Sequence, residues 1–119
     1  MKRILVVDDD AMNLKLAGFA LKQYEVHTAD SGIECLDFLA QEEVDLVLLD
    51  VEMPVMNGIK TLESIREKEN LKELPVMFLT ADEEIEKVAR EEHLSVQGYV
   101  KKPFLPQALL DKVKEILAD

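Results

Sequence analysis

The sequence predicts an α/β domain built on a parallel sheet, and three observations carry that prediction. Short apolar runs at residues 4–7, 46–49 and 76–79 each stop on a polar group, at Asp8, Asp50 and Thr80. Within each run the apolar residues are continuous, as in strands covered on both faces, and such strands belong to parallel sheets. Segments with apolar residues at helical spacing separate the runs, and strands alternating with helices specify α/β architecture. A chain of 119 residues has room for one domain with one sizeable core and little for a second, so residues 1–119 are read as a single domain.

The first run, Ile-Leu-Val-Val at 4–7, leads into Asp8-Asp9-Asp10, after which Leu14, Ala17 and Leu21 recur at helical spacing. This is a strand, an acidic turn and a helix. Residues 25–29 make a second, weaker strand. Ser31-Gly32-Ile33-Glu34 then has the spacing of a capping box ahead of Leu36, Leu39 and Ala40. The central strand ends on Asp50, followed by a loop with Pro54 and Gly58 and a helix marked by Ile59, Leu62 and Ile65. Val76 to Leu79 is the fourth strand, ending in Thr80, and Asp82 is expected to start the fourth helix. That helix has an inward stripe of Ile85, Val88 and Ala89. Glu83, Glu84, Glu86, Arg90, Glu91 and Glu92 form its solvated face. A short fifth strand near 98–101 runs into Lys101-Lys102-Pro103-Phe104, and Pro106 opens a last helix that carries Leu109, Leu110, Val113, Ile116 and Leu117.

Right-handed crossovers leave few ways to arrange five strands and five helices. The expected sheet is flavodoxin-like, doubly wound, of order 2-1-3-4-5. In that order the first and third strands flank the point where the winding reverses, and ligands bind at the carboxyl edge beside it. Asp8, Asp9 and Asp50 therefore converge there, with Thr80 and the lysine pair ending the neighbouring strands.

Composition narrows the function. With 25 acidic against 14 basic residues, the net charge of -11 argues against direct nucleic-acid binding, which needs cationic surface. No apolar run is long enough to span a membrane and neither a signal peptide nor an anchor is visible. The single Cys35 cannot form an internal disulfide, so a cytoplasmic, reducing location is expected. His27 and His93 have no partner that would give either a chemical role.

Three converging carboxylates repel one another unless a cation relieves them, and a hard divalent ion with oxygen ligands does so; Mg²⁺ fits best because it keeps waters and takes few carboxylates. Asp50 would then serve as a carboxylate nucleophile toward a phosphoryl donor, with Lys102 supplying positive charge and Thr80 a hydroxyl donor. Successive strand residues point to opposite sides. Only one of Lys101 and Lys102 can therefore reach the phosphoryl group, and Lys102, held extended before Pro103, is the expected one.

VVDD at 6–9, LLDVEMPVMNG at 48–58, FLTA at 78–81 and GYVKKPF at 98–104, in that order, closely resemble the receiver domain of two-component response regulators, of the chemotaxis-regulator type. The resemblance covers essentially the whole chain. It implies a phosphorylation-activated signalling switch, not an enzyme beyond its own phosphorylation and dephosphorylation. It identifies Asp8 and Asp9 as metal-binding acids, Asp50 as phosphoacceptor, and Thr80 and Lys102 as the groups contacting the phosphoryl. The main-chain carbonyl of Glu52 becomes a further metal ligand and Tyr99 a switch aromatic. A cis peptide before Pro103 is implied as well. The implied partners are a sensor histidine kinase or histidine phosphotransfer protein, and a downstream protein or fused output domain read by the surface of the fourth helix, fifth strand and fifth helix. A phosphorylation-dependent homodimer is compatible with it.

The side chains of Glu52 and Asp82 stand at positions that vary in such domains and tune the phosphoryl lifetime. Leu105, ahead of Pro106, replaces the usual small polar helix cap, a loss of about 0.5–2 kcal/mol if nothing substitutes, and is expected to pack locally on Phe104. The alternative from the enzyme class is a haloacid dehalogenase-like phosphatase using Asp8, from the Asp8-x-Asp10 pattern. It leaves Asp50 without a purpose, and no further acidic metal motif follows the lysine. A flavin or nucleotide binder would need a glycine-rich phosphate loop, which is absent.

Overall fold

A computed structural model describes residues 1–118 except 83, 92 and 94. Five parallel strands, β1 (Arg3–Val7), β2 (Glu25–Ala29), β3 (Leu46–Asp50), β4 (Val76–Thr80) and β5 (Gly98–Lys101), form one sheet of order β2-β1-β3-β4-β5. Four helices connect them, α1 (Ala11–Ala20), α2 (Gly32–Gln41), α3 (Gly58–Glu67) and α4 (Ile85–Glu91), and α5 (Pro106–Leu117) follows β5. This is the doubly wound, flavodoxin-like arrangement expected from the strand and helix pattern.

Strand alternation divides the interior into two cores. Leu5, Val7, Val47, Leu49, Val76 and Phe78 face α2, α3 and α4, where they meet Cys35, Leu39, Leu62, Ile65, Ile85 and Ala89. Ile4, Val6, Leu46, Leu48, Met77, Leu79 and Val100 face α1 and α5 and pack on Ala17, Leu21, Leu109, Val113 and Leu117. Every residue of β3 and β4 is buried, which is why these runs do not alternate in polarity. Burial pushes the Cys35 thiol up to about 12, leaving it an inert core group.

Several local expectations are refined. Ser31 accepts from the Glu34 N–H at 3.1 Å, but the Glu34 carboxylate reaches the Asp30 N–H at 3.2 Å, one residue before the usual box partner. Ala40 is exposed rather than inward. Asp82 does not start α4: its carboxylate accepts from the Glu84 N–H at 2.8 Å, a local turn that delays the helix to Ile85. Glu84, Glu86, Arg90 and Glu91 are solvated as expected, whereas Glu83 and Glu92 lie outside the described residues. A single 3-10 turn at Glu69–Leu71 was not signalled by periodicity. Arg66 holds the adjoining loops, donating to the Leu71 and Leu74 carbonyls at 3.0 and 2.7 Å and to that of Ser95 at 2.8 Å. Leu105 is 73% exposed beside the buried Phe104, so it is not packed away, and no side chain caps α5.

Among the described residues Val55 is the one β-branched residue in the left-handed region. Its φ is 68° and its side chain is 98% exposed. A β-branched residue in the left-handed region is unfavourable, and nothing packs on this one to compensate. Val55→Asn should therefore stabilise the domain by about 0.5–1 kcal/mol. The check is thermal unfolding: a midpoint raised by a few degrees is expected, and a lowered one would mean the Val55 side chain has a hidden contact.

Candidate functional site

The site is assembled by strand ends. Pairing of Val7 with Leu49 and of Asp50 with Leu79 sets β1, β3 and β4 so that the acids following β1 meet the last residue of β3. Carboxylate oxygens of Asp8, Asp9 and Asp50 lie within 4.8 Å of one another. Asp8 and Asp50 are fully buried and Asp9 is exposed. Gly58 lets the loop after β3 close over this edge: a Cβ there would stand 2.5 Å from the Asp50 carbonyl oxygen, and its N–H donates to the Val51 carbonyl at 2.9 Å.

Lys102 enters from beyond β5. Its Nζ is 2.9 Å from Asp8 Oδ2 and 2.9 Å from Asp50 Oδ1, and the Lys102-Pro103 peptide is cis. Lys101, paired with Thr80 in the sheet, is exposed instead. Of the two lysines, the structure brings the expected one to Asp50.

Electrostatics follow from burial. Desolvation pushes the Asp50 carboxyl up to about 7, with the Asp8 charge adding to the rise and the Lys102 hydrogen bond opposing it. Burial alone would lower the Lys102 ammonium, but its bonds to Asp8 and Asp50 outweigh that and raise it. Asp50 Oδ1 also accepts from the Glu52 N–H at 3.3 Å, which puts the Glu52 peptide beside the cluster. Oδ2 of Asp50 is buried with no hydrogen-bond partner. A buried, unpartnered oxygen next to two further carboxylates is the donor set a hard cation fits. These acids could therefore hold a metal ion.

Thr80 is buried at the end of β4, yet its hydroxyl donates to Glu52 Oε1 at 2.7 Å and accepts from the Asp82 N–H at 2.9 Å. Tyr99 is half-buried, its ring 6.1 Å from that of Phe78. A cavity of 240 Å³ between Thr80, Ile85 and Tyr99 lies on one side of it, and one of 270 Å³ bounded by Arg90, Ser95 and Val96 on the other. A larger cleft of 450 Å³ opens at the opposite, amino-terminal end of the sheet, around Arg3, Glu42 and Asp45. His27 is at that end too, 2.7 Å from Glu25 in an ion cluster on Arg3. His93 only closes α4, with φ 56°.

One member of the site, Asn13, was not singled out from sequence. Asn13 donates to Asp8 Oδ2 at 3.2 Å, and the Asp10 N–H donates to Asp8 Oδ1 at 2.9 Å. Asp10 spends its own carboxylate on the Met12 N–H, capping α1. That removes the second acid of the phosphatase pattern from the cluster.

Residues 4–114 match the family described as response regulator receiver domain. The chain belongs to that family. It is 42% identical to the transcriptional regulatory protein CpxR homolog of Haemophilus influenzae, across 98% of this chain but only 51% of the relative. Among solved structures, the receiver superposes on chemotaxis protein CheY4 of Vibrio cholerae with a TM-score of 0.90 at 30% identity, covering 98% of each chain. A structure described as the BeF3-activated DrrB receiver domain matches with a TM-score of 0.85 at 34% identity, covering 100% of this chain and 99% of that one. Receiver domains are phosphorylation-dependent signalling modules rather than classical enzymes. Among the described residues no helix is long and apolar enough to cross a membrane.

Proposed function

We propose that residues 1–119 act as one phosphorylation-driven switch in which Asp50 is the phosphoacceptor. Asp8, Asp9, Asp50 and the main-chain carbonyl of Glu52 would hold Mg²⁺, while Lys102 and Thr80 contact the phosphoryl group. The observation that carries this reading is the buried, unpartnered Asp50 Oδ2 beside two further carboxylates and one ammonium.

The donor is a phosphohistidine on a sensor histidine kinase or histidine phosphotransfer protein. An Asp50 oxygen attacks phosphorus: an O–P bond forms as the P–N bond breaks, and the electron pair leaves on the imidazole nitrogen, which takes a proton from water. When bound, Mg²⁺ neutralises the carboxylates and the phosphoryl oxygens. Lys102, already 2.9 Å from Asp50, follows the new negative charge as a point cation. Thr80 turns its hydroxyl toward the phosphoryl, and the cavity between Thr80 and Tyr99 gives the ring room to move inward. The face of α4, β5 and α5 then reports the change to a downstream protein, a fused output domain or a second copy. The net charge of -11 disfavours nucleic acid as a direct partner, and a cytoplasmic location goes with a kinase donor.

Separate alanine variants of the two lysines test the assignment of roles. Lys102→Ala should accept a phosphoryl group yet lose the accompanying shift of Tyr99, because no cation then draws the new charge across the edge. Lys101→Ala should stay near wild type in both, since an exposed ion pair contributes at most about 1 kcal/mol. Mass spectrometry reads uptake and the Tyr99 ring resonance reads the shift. The reverse pattern would exchange the lysines and remove Lys102 from the site.

A further inference from the structure

We infer that the Glu52 side chain is a resting-state latch that holds Thr80 away from Asp50. The inference deepens the reading of Asp50 as phosphoacceptor and rests on it. A threonine hydroxyl has one proton to donate. Here that proton goes to Glu52 Oε1 at 2.7 Å, so Thr80 cannot bond a phosphoryl oxygen until the bond to Glu52 is given up. A phosphoryl group on Asp50 therefore acts as a competitor, two charged acceptors contending for one donor.

The latch reaches further than two side chains. Thr80 Oγ1 simultaneously accepts from the Asp82 N–H at 2.9 Å, and the Asp82 carboxylate accepts from the Glu84 N–H at 2.8 Å. A line of hydrogen bonds thus runs from the loop after β3, through Glu52 and Thr80, to the turn that leads into α4. Turning Thr80 breaks the line at its middle and frees that turn. Glu52 is itself exposed, so solvent screens the bond and the latch opens at modest expense. In this arrangement Glu52 is a positioning residue: it sets the poise of the switch rather than touching the transferred group.

The test is a graded series, Glu52→Gln and Glu52→Ala, studied by NMR without phosphoryl donor. The Thr80 methyl, the Tyr99 ring and the Asp82 amide of wild type define the resting end point. The same signals with beryllium fluoride and Mg²⁺ define the active one. Removing the acceptor should raise the active population of the unphosphorylated protein roughly three- to ten-fold in Glu52→Ala. Glu52→Gln, which keeps a neutral acceptor, should fall between. In a Thr80→Val background Glu52→Ala should displace the Tyr99 and α4 signals no further, because the donor is gone. Resting signals of Glu52→Ala that coincide with wild type, or a displacement that persists with Thr80→Val, would overturn the latch. A beryllium fluoride response that survives Asp50→Asn would instead remove Asp50 as acceptor, and the donor-free series would still decide the latch by itself.

Discussion

Asp50→Asn is expected to abolish the mass gain of one phosphoryl group when the protein is incubated with acetyl phosphate and Mg²⁺. The substitution keeps the size of the side chain and an oxygen within reach of Lys102, 2.9 Å from the native Oδ1. It removes the nucleophile, since an amide oxygen carries no full negative charge to attack phosphorus, and with it one anionic ligand of the proposed metal. Wild type should gain the phosphoryl with Mg²⁺ and fail to gain it with excess chelator, because the three carboxylates gathered within 4.8 Å then repel an anionic donor. Labelling of Asp50→Asn at the wild-type level, or labelling in chelator, would remove Asp50 or the metal from the chemistry.

The second large effect concerns stability without metal. The Asp50 carboxyl is pushed from 3.8 up to about 7 in the folded protein, mainly by burial. Between those values the folded state holds a proton that the unfolded state has released. Stability from this group is therefore complete below about pH 4 and is lost as pH rises through about 7. Asp50→Asn has no such proton. The stability of metal-free wild type relative to Asp50→Asn should accordingly fall by on the order of 1–3 kcal/mol between pH 4.5 and 8. Mg²⁺ should offset the loss in wild type, since a ligand that binds only the folded protein stabilises it by mass action and this one favours the ionised carboxylate. Urea unfolding of both proteins across that range, with Mg²⁺ and with chelator, provides the measurement. Parallel curves in chelator would show that burial does not strain Asp50.

The order of the strands was legible because β1, β3 and β4 are apolar without interruption and each ends on a polar residue; a parallel sheet with crossovers then leaves little choice. The same logic placed Asp8, Asp50 and Lys102 together. What sequence did not disclose depends on side-chain direction over short distances. Nothing in the spacing of Glu52 and Thr80, which are 28 positions apart, says that their side chains bond. Asn13 carries no signal beyond its place in the first turn after the acids. Asp82 has the residue type of a helix start, but its bond to Glu84 closes a separate turn first. The exposure of Leu105 shows the converse error: an apolar residue next to a core phenylalanine need not join it.

The two cores have a consequence for how such a switch can change. By strand alternation Asp8, Asp50 and Lys102 belong to the side of the sheet covered by α1 and α5, whereas Thr80 and Tyr99 belong to the side covered by α3 and α4. The sheet is a partition, and a message can cross only over its top. In the proposed switch the acids occupy one compartment and Tyr99 the other, and Thr80, Glu52 and Lys102 meet at the rim between them. The apolar residues around Tyr99 and those beneath the acids belong to different clusters, so a substitution within one core has no direct apolar contact with the other. Input and output can therefore drift separately in descendants of this chain, provided the residues that meet at the rim are kept.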